Sequence, residues 1–432
     1  MSRTMKDSGI PWIGEIPSHW KLMPHKWVMH KEKEIREKYH GETILSLTMK
    51  GVIVRDLDAG GKMPSSFDGY QAVYPNDLLQ CLFDIDVTPR CVGLVKNEGL
   101  VSPAYSRFVL HSNGYTPYYD YLLRYMDDNK VLLHLSKNLR SSLTETDFGA
   151  INTCVPPIPE QQAIADFLDE KCSEIDEMVS LQEKIVEELK AYKQSVITEA
   201  VCKGLNPDVP MKDSGIEWIG QIPESWRVAP FKSVYSLGKG LSITKADLVS
   251  KGVPVISYGQ IHSKQNTGTS VADDLIRFVP ESFLSTNSDA LVKIGDVIFA
   301  DTSEDLAGCG NCVYIDRGGL LFAGYHTIIA RNETNDNNNY FSYLFQTDCW
   351  RKQIRSVVNG VKLYSVPQRL LSSTSIIIPP IEEQREIGSF LDNKCSEIDA
   401  LISLKQSKID FLKEYKKSII YEYITGKKEI NG

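Results

Sequence analysis

The chain repeats itself, and any fold it adopts must satisfy the same local instructions twice. Residues 5–17 return as residues 211–223, with only Pro11 and Glu15 exchanged, for Glu217 and Gln221. Pro156-Pro157-Ile158 with Glu160-Gln161 returns as Pro379-Pro380-Ile381 with Glu383-Gln384. Cys172-Ser173-Glu174-Ile175-Asp176 returns unchanged as Cys395-Ser396-Glu397-Ile398-Asp399. The text between these markers is far less alike. A duplicated frame around two diverged inserts implies one architecture presenting two different surfaces.

The segments after each Pro-Pro read as long helices, over residues 160–204 and 382–428. In the first, Leu168, Cys172, Ile175, Val179, Val186, Leu189 and Val196 follow the 4-3 spacing of a coiled-coil seam. Leu391, Cys395, Ile398, Ile402, Ile409, Leu412 and Ile419 repeat it at a constant offset of 223. The skipped positions hold Gln182 and Lys193, then Lys405 and Lys416. No later proline breaks either run, and Gly204 and Gly426 end them. Forty such residues make a rod about 60 Å long. A seam of that length demands a partner, and the other helix, running antiparallel, is the natural one.

The inserts carry short β-like runs punctuated by glycine, proline and asparagine, such as residues 252–258, 296–300, 325–330 and 375–378. Each is expected to be a mixed α/β domain around a twisted, mostly antiparallel sheet. The opening motifs are 206 residues apart and the helices 223, so the second insert is 17 residues longer. Length variation inside a fixed frame belongs to loops, where specificity resides.

Composition permits nucleic acid without demanding it. The net charge is −8, yet residues 160–204 hold eleven acidic and five basic side chains, which leaves the rest near neutral. Nine irregularly spaced cysteines suit a reducing cytoplasm, and no apolar stretch is long enough to span a bilayer. There is no phosphate-loop signature, no GxGxxG, and no Asn/Asp-Pro-Pro-aromatic motif of the kind amino-methyltransferases use on a flipped base. Gly238-Lys239-Gly240 reads as a glycine pair with a lysine, and Asp301 to Asp305 as a polar loop. Cys309-Gly310-Asn311-Cys312 has no second ligand pair and reads as a structural turn. Trp12, Trp20, Trp218 and Trp226 are expected to anchor each domain's first segment in its core. Ahead of each Pro-Pro, cations mix with amides, hydroxyls and an aromatic: Lys137, Asn138 and Arg140 in copy one, Lys362, Tyr364, Gln368 and Arg369 in copy two. That mixture suits phosphate and base-edge contacts, as does His326 beside Tyr325.

With these parts in order, the chain resembles the specificity (S) subunit of type I restriction-modification systems. The resemblance rests on the twin Trp-Ile-Gly-x-Ile-Pro-x-x-Trp openings and the Gly295 to Ala300 strand. It rests further on Ala323-Gly324-Tyr325-His326, Gly360-Val361-Lys362, and the Pro-Pro-Ile-x-Glu-Gln and Cys-Ser-Glu-Ile-Asp helices. Copy one departs from it, with Asn76-Asp77 in place of Gly-Asp and no glycine over residues 137–140.

The resemblance implies an α+β chain with a pseudo-two-fold internal repeat. Two mixed α/β target-recognition domains (1–158 and 205–380) would be joined by two long antiparallel coiled-coil helices (159–204 and 381–428). It implies a cytoplasmic, non-catalytic subunit that reads a bipartite double-stranded DNA target. Two methyltransferase subunits and restriction subunits would be its partners, with no membrane role. S-adenosylmethionine, ATP and Mg would bind those partners and no cofactor this chain. The DNA contacts it implies are Ser46, Thr48, Lys50, Arg90, Tyr105, Lys137, Asn138 and Arg140 in copy one. In copy two they are Ser257, Tyr258, Gln260, Thr302, Ser303, Tyr325, His326, Lys362, Tyr364, Gln368 and Arg369. The alternatives are a self-contained DNA methyltransferase and a coiled-coil protein-interaction scaffold.

Overall fold

The protein is described by a computed structural model covering residues 3–58, 64–136, 141–334, 336–360 and 362–430. It divides into two compact units: residues 1–183 with 406–432, and residues 184–405. The long helices are Ile158–Lys203 and Ile381–Ile424. Each contributes one part to each unit, so the compact units do not break at the ends of the helices.

Both units follow one plan. In the first, a four-stranded antiparallel sheet runs in the order Val92–Leu94, Leu78–Gln80, Ser106–Leu110, Met29–Glu32. The second has Cys312–Tyr314, Val297–Ala300, Thr327–Asn332, Tyr235–Lys239 in the same roles. A smaller three-stranded sheet accompanies each. Each opens on a hairpin, Met5–Asp7 with Glu15–Pro17 or Met211–Asp213 with Gln221–Pro223. Each closes on a pair, Lys21–Pro24 with Asn152–Val155 or Arg227–Pro230 with Ser375–Ile378. The Val297–Ala300 strand is a continuous apolar run because it is buried on both faces. Val297 and Phe299 join the core beneath the long helices, while Ile298 and Ala300 join a second core on the other face.

The repeated motifs are repeated contacts. Trp20 Nε1 donates to Glu160 Oε2 at 2.8 Å, and Trp226 Nε1 donates to Glu383 Oε2 at 2.7 Å. The next residue, Gln161 or Gln384, is wholly buried. Gln161 donates to the carbonyls of Pro156 and Asn113 and accepts from the Tyr115 amide; Gln384 donates to Pro379 O and Asp336 Oδ1 and accepts from the Asn337 amide. A helix start that would otherwise bury orphan polar groups is thereby tied to the short helix beside it. The same short helix also ties the end of the other long helix: Tyr118 donates to Ile424 O and Tyr340 to Val201 O, at 2.8 and 2.9 Å.

Cys-Ser-Glu-Ile-Asp acquires a physical reading as well. Its cysteine and isoleucine lie in the buried seam, at 5% and 3% exposure in copy one and 5% and 2% in copy two. Its aspartate receives a lysine from the facing helix: Lys416 reaches Asp176 in the first unit, and Lys193 reaches Asp399 in the second, each at 2.6 Å. These lysines, Lys193 and Lys416, are two of the four polar residues at the skipped seam positions. The tryptophans split, however. Trp20 and Trp226 are core residues, whereas Trp12 is half-buried against Tyr125 and Trp218 is 39% exposed under Lys352. The expectation of four core tryptophans is corrected to two, because Trp12 and Trp218 sit in a turn on the rim of each opening hairpin.

One core position breaks the repeat. Phe231 of the second unit is His25 in the first, equally buried and packed on Phe148 at 4.7 Å. Neither ring nitrogen meets a partner in good hydrogen-bond geometry, and the Phe148 backbone offers only a weak polar contact. Burial pushes the imidazole down to about 4. Below pH 6.5 the unfolded chain binds a proton that the folded unit refuses. The first unit should therefore lose about 3 kcal/mol as pH falls from 6.5 toward 4. His25→Phe should remove that loss and add about 1–2 kcal/mol at pH 7. Urea unfolding at pH 7.5 and 5.0 checks this, and an unaltered pH dependence in the variant would refute it.

Candidate nucleic-acid interface

The second unit gathers several of the residues expected to meet DNA around one groove of about 790 Å³. Thr302, Tyr325, His326, Gln368 and Arg369 line it, together with Lys239, Asp301 and Ser365. Two local features build it. The two-residue strand Thr302–Ser303 pairs with Tyr364–Ser365, which brings the segment before the Pro-Pro alongside the Asp301 loop. Gln368 Nε2 then donates to Gly238 O at 2.9 Å and fixes the short helix Gln368–Ser373 over the end of the Tyr235–Lys239 strand. Gly240 is obligatory there, since a Cβ would stand 2.1 Å from Gly324 O.

A second depression, of about 530 Å³, adjoins Tyr258, His262, Ser303 and Asn311. The Tyr258 ring lies 5.4 Å from both Tyr325 and His326, edge-on to each, and so links the two hollows. His326 is exposed, holds Asp301 Oδ1 through Nδ1 at 3.1 Å, and has φ of +55°. Such a backbone is uncommon outside glycine, though histidine adopts it more readily than most residues.

Other expected contacts fall elsewhere. Ser257 and Ser303 are each 2% exposed: Ser257 packs against Gly324, and Ser303 donates to Asp305 O. Both hydroxyls are closed off from solvent here. Gln260 accepts from the Ser257 amide and braces the helical turn Tyr258–Ile261. Tyr364 is half-buried against the core, while Lys362 is exposed and does not line the groove.

Copy one is not gathered in the same way. Lys137, Asn138 and Arg140 lie outside the described residues. Arg90 is held in ion pairs by Asp127 and Asp128 at 3.2 and 2.8 Å and is only 12% exposed. Tyr105 is half-buried against two core clusters. Ser46 and Thr48 lie on the Leu45–Thr48 strand, which turns at Met49-Lys50 into Gly51–Val54. Thr48 closes that turn by donating to Gly51 O, and Lys50 is exposed at its tip.

The divergence has a clear starting point. Ile44 bridges Leu100 in parallel, just as Val255 pairs in parallel with Phe322. From that shared strand the first unit continues into a β-hairpin and the second into a helical turn. By contrast, Asn76-Asp77 for Gly295-Asp296 is no divergence. Asn76 has φ of +74° and Gly295 +94°, and asparagine tolerates that region. Asp77 and Asp296 each accept from the amide three residues back and sit beside an arginine, Arg107 or Arg331. Burial raises both carboxyls.

Sequence reasoning passed over Lys239 and Asp301. The signal for Lys239 was the glycine on either side of it, one of which marks a close approach of two chain segments. Cys309 and Cys312 are both 1% exposed in the core, where Asn311 accepts from Arg351 at 2.7 Å. Among the described residues no cluster of histidine, cysteine or carboxylate has the make-up of a metal site, and no helix is long and apolar enough to cross a membrane.

A family model described as the type I restriction modification DNA specificity domain matches residues 223–414, which contain the whole groove. The chain is similar to type I restriction-modification specificity subunits. It is 25% identical over 283 residues to the MjaVIII specificity subunit of Methanocaldococcus jannaschii, covering 65% of this chain and 63% of that one. It is 26% identical over 334 residues to the putative MjaX specificity subunit of the same organism, covering 73% and 69%. The matched part of MjaVIII is thus under two thirds of its length. The fold is similar to that of the HsdS subunit from Thermoanaerobacter tengcongensis (TM-score 0.54, 15% identity, 95% of this chain and 98% of that one). It is also similar to a chain solved in a study of complex assembly and conformational transition of the type I R-M system (TM-score 0.70, 15% identity, the same coverage).

Proposed function

We propose that this chain is the DNA sequence-specificity subunit of a type I restriction-modification complex. Each α/β body reads one half of a bipartite duplex target. The carrying observation is the frame that is duplicated contact for contact while the Ile44 and Val255 strands lead into different structures. A frame kept twice serves a common geometry, and surfaces that differ serve different sequences.

The long helices then act as an antiparallel coiled-coil spacer. In the first unit Asp176 meets Lys416 and Glu183 meets Lys413, so one number rises as the other falls. The exposed ion pairs contribute little stability; the buried seam contributes most. A stiff spacer makes engagement of the second half-site effectively intramolecular. The exposed helix faces carry the docking sites for two methyltransferase subunits, and restriction subunits join through these. The chain itself is non-catalytic and cytoplasmic, with S-adenosylmethionine, ATP and Mg held by its partners. Those partners also supply much of the phosphate neutralisation that an acidic chain lacks.

Two measurements test the reading. The purified chain should retain no S-adenosylmethionine, and its complex with methyltransferase should prefer its target duplex over a scrambled one by about 10³-fold or more. Cofactor binding by the chain alone would favour the self-contained methyltransferase. Absence of any sequence preference in the complex would favour the scaffold.

A further inference from the structure

We propose that His326, fixed by Asp301, is a base reader that accepts a hydrogen bond from an exocyclic amino group, adenine N6 or cytosine N4, in the major groove. This rests on the DNA-specificity reading above and adds the chemical group recognised.

A carboxylate can only accept, so the 3.1 Å contact between Asp301 Oδ1 and His326 Nδ1 places the ring proton on Nδ1. The neutral imidazole then carries a bare lone pair on Nε2, an acceptor. Asp301 is pinned in its turn, its amide donating to His326 O at 3.1 Å and its carbonyl accepting from the Val366 amide at 2.7 Å. Tyr258 and Tyr325, with centroids at 5.4 and 6.0 Å, stand edge-on to the imidazole and restrict its rotation. The ring is nevertheless exposed, its side chain 55% accessible in the groove that Lys239 and Arg369 also line. The left-handed backbone at His326 is strained for a residue other than glycine, and such strain is kept where a side chain must be aimed. In the major groove the amino donors are adenine N6 and cytosine N4, and a bare imidazole nitrogen is complementary to those alone. The neighbouring cations, being donors, suit phosphates or guanine instead. Asp301 is a positioning residue: it selects the tautomer.

The test uses the purified complex of the full chain with its methyltransferase subunits. Each amino-bearing base of the half-site read by the second unit is replaced in turn by purine or 2-pyrimidinone, which lack the amine. One replacement should weaken binding by the wild type about tenfold and leave binding by His326→Gly unchanged. Glycine tolerates the +55° backbone, and retained discrimination at every other position shows that the variant is folded. Asp301→Asn can donate to Nδ1 and turn an Nε2 hydrogen outward. It should lose the same single position about tenfold while holding the rest. If His326→Gly responds to every replacement as the wild type does, the amino-reading assignment is overturned and the specificity reading stands. If the complex recognises no defined sequence, both are overturned.

Discussion

Trp226→Ala is expected to destabilise the second unit by about 3–5 kcal/mol, because three separate functions meet in that side chain. The indole is 1% exposed and packs edge-on against Tyr340 at 6.4 Å. It stands over Gly204, whose Cβ position is 3.2 Å from the ring, so it caps the end of the first long helix. Its Nε1 also satisfies Glu383 at the start of the second. Truncation opens a cavity and leaves that carboxylate without its donor. Trp20→Ala should open the matching cavity in the first unit, beside Gly426, although Glu160 there keeps Arg3 and His19 as partners. Trp218→Ala, on the rim of its hairpin, should fall within about 0.5 kcal/mol of wild type. Urea unfolding of the three variants checks this. A Trp226→Ala effect no larger than that of Trp218→Ala would remove the indole from its structural role.

Deleting seven residues from both helices, 180–186 and 403–409, is expected to abolish recognition of the natural target and move it to one with a shorter unread spacer. One heptad is about 10.5 Å of helix, close to three base pairs of duplex. The seam stays in register because both deletions remove the same heptad positions. Methylation assays on duplexes whose spacers differ by single base pairs read the outcome directly. A deletion variant that keeps the natural spacing would show that the helices do not set it.

The frame was legible in the sequence because its signals are local and printed twice. Helix ends at Pro157 and Gly204, the seam from Leu168 to Val196, and the strand at residues 297–300 follow from periodicity and punctuation alone. The role of Gln161 and Gln384 was not legible. Burying a glutamine is unfavourable unless several specific groups converge on it, and two of the three partners of each come from a segment nearly fifty residues away in sequence. The site was read less well than the frame for the same reason. Ser257 and Ser303 have the composition of contact residues, yet close backbone approaches at Gly324 and Asp305 withdraw them from the surface. Arg90 looked free because it lies in a loop, and Asp127 and Asp128 come from the end of the helix Thr116–Asp128, far along the chain. Asp301 was read only as part of a polar loop, and its value appears once His326 is seen beside it.

That each copy reads its own half of one split target is tested most directly by mapping methylated adenines in cells. The methyltransferase subunits are expressed with either the wild-type chain or a variant carrying His326→Gly and Arg369→Ala. The wild type should yield two defined half-sites separated by bases of any identity, and the variant should relax one of them while the other keeps every base. A continuous motif, or loss of discrimination in both halves together, would contradict the account.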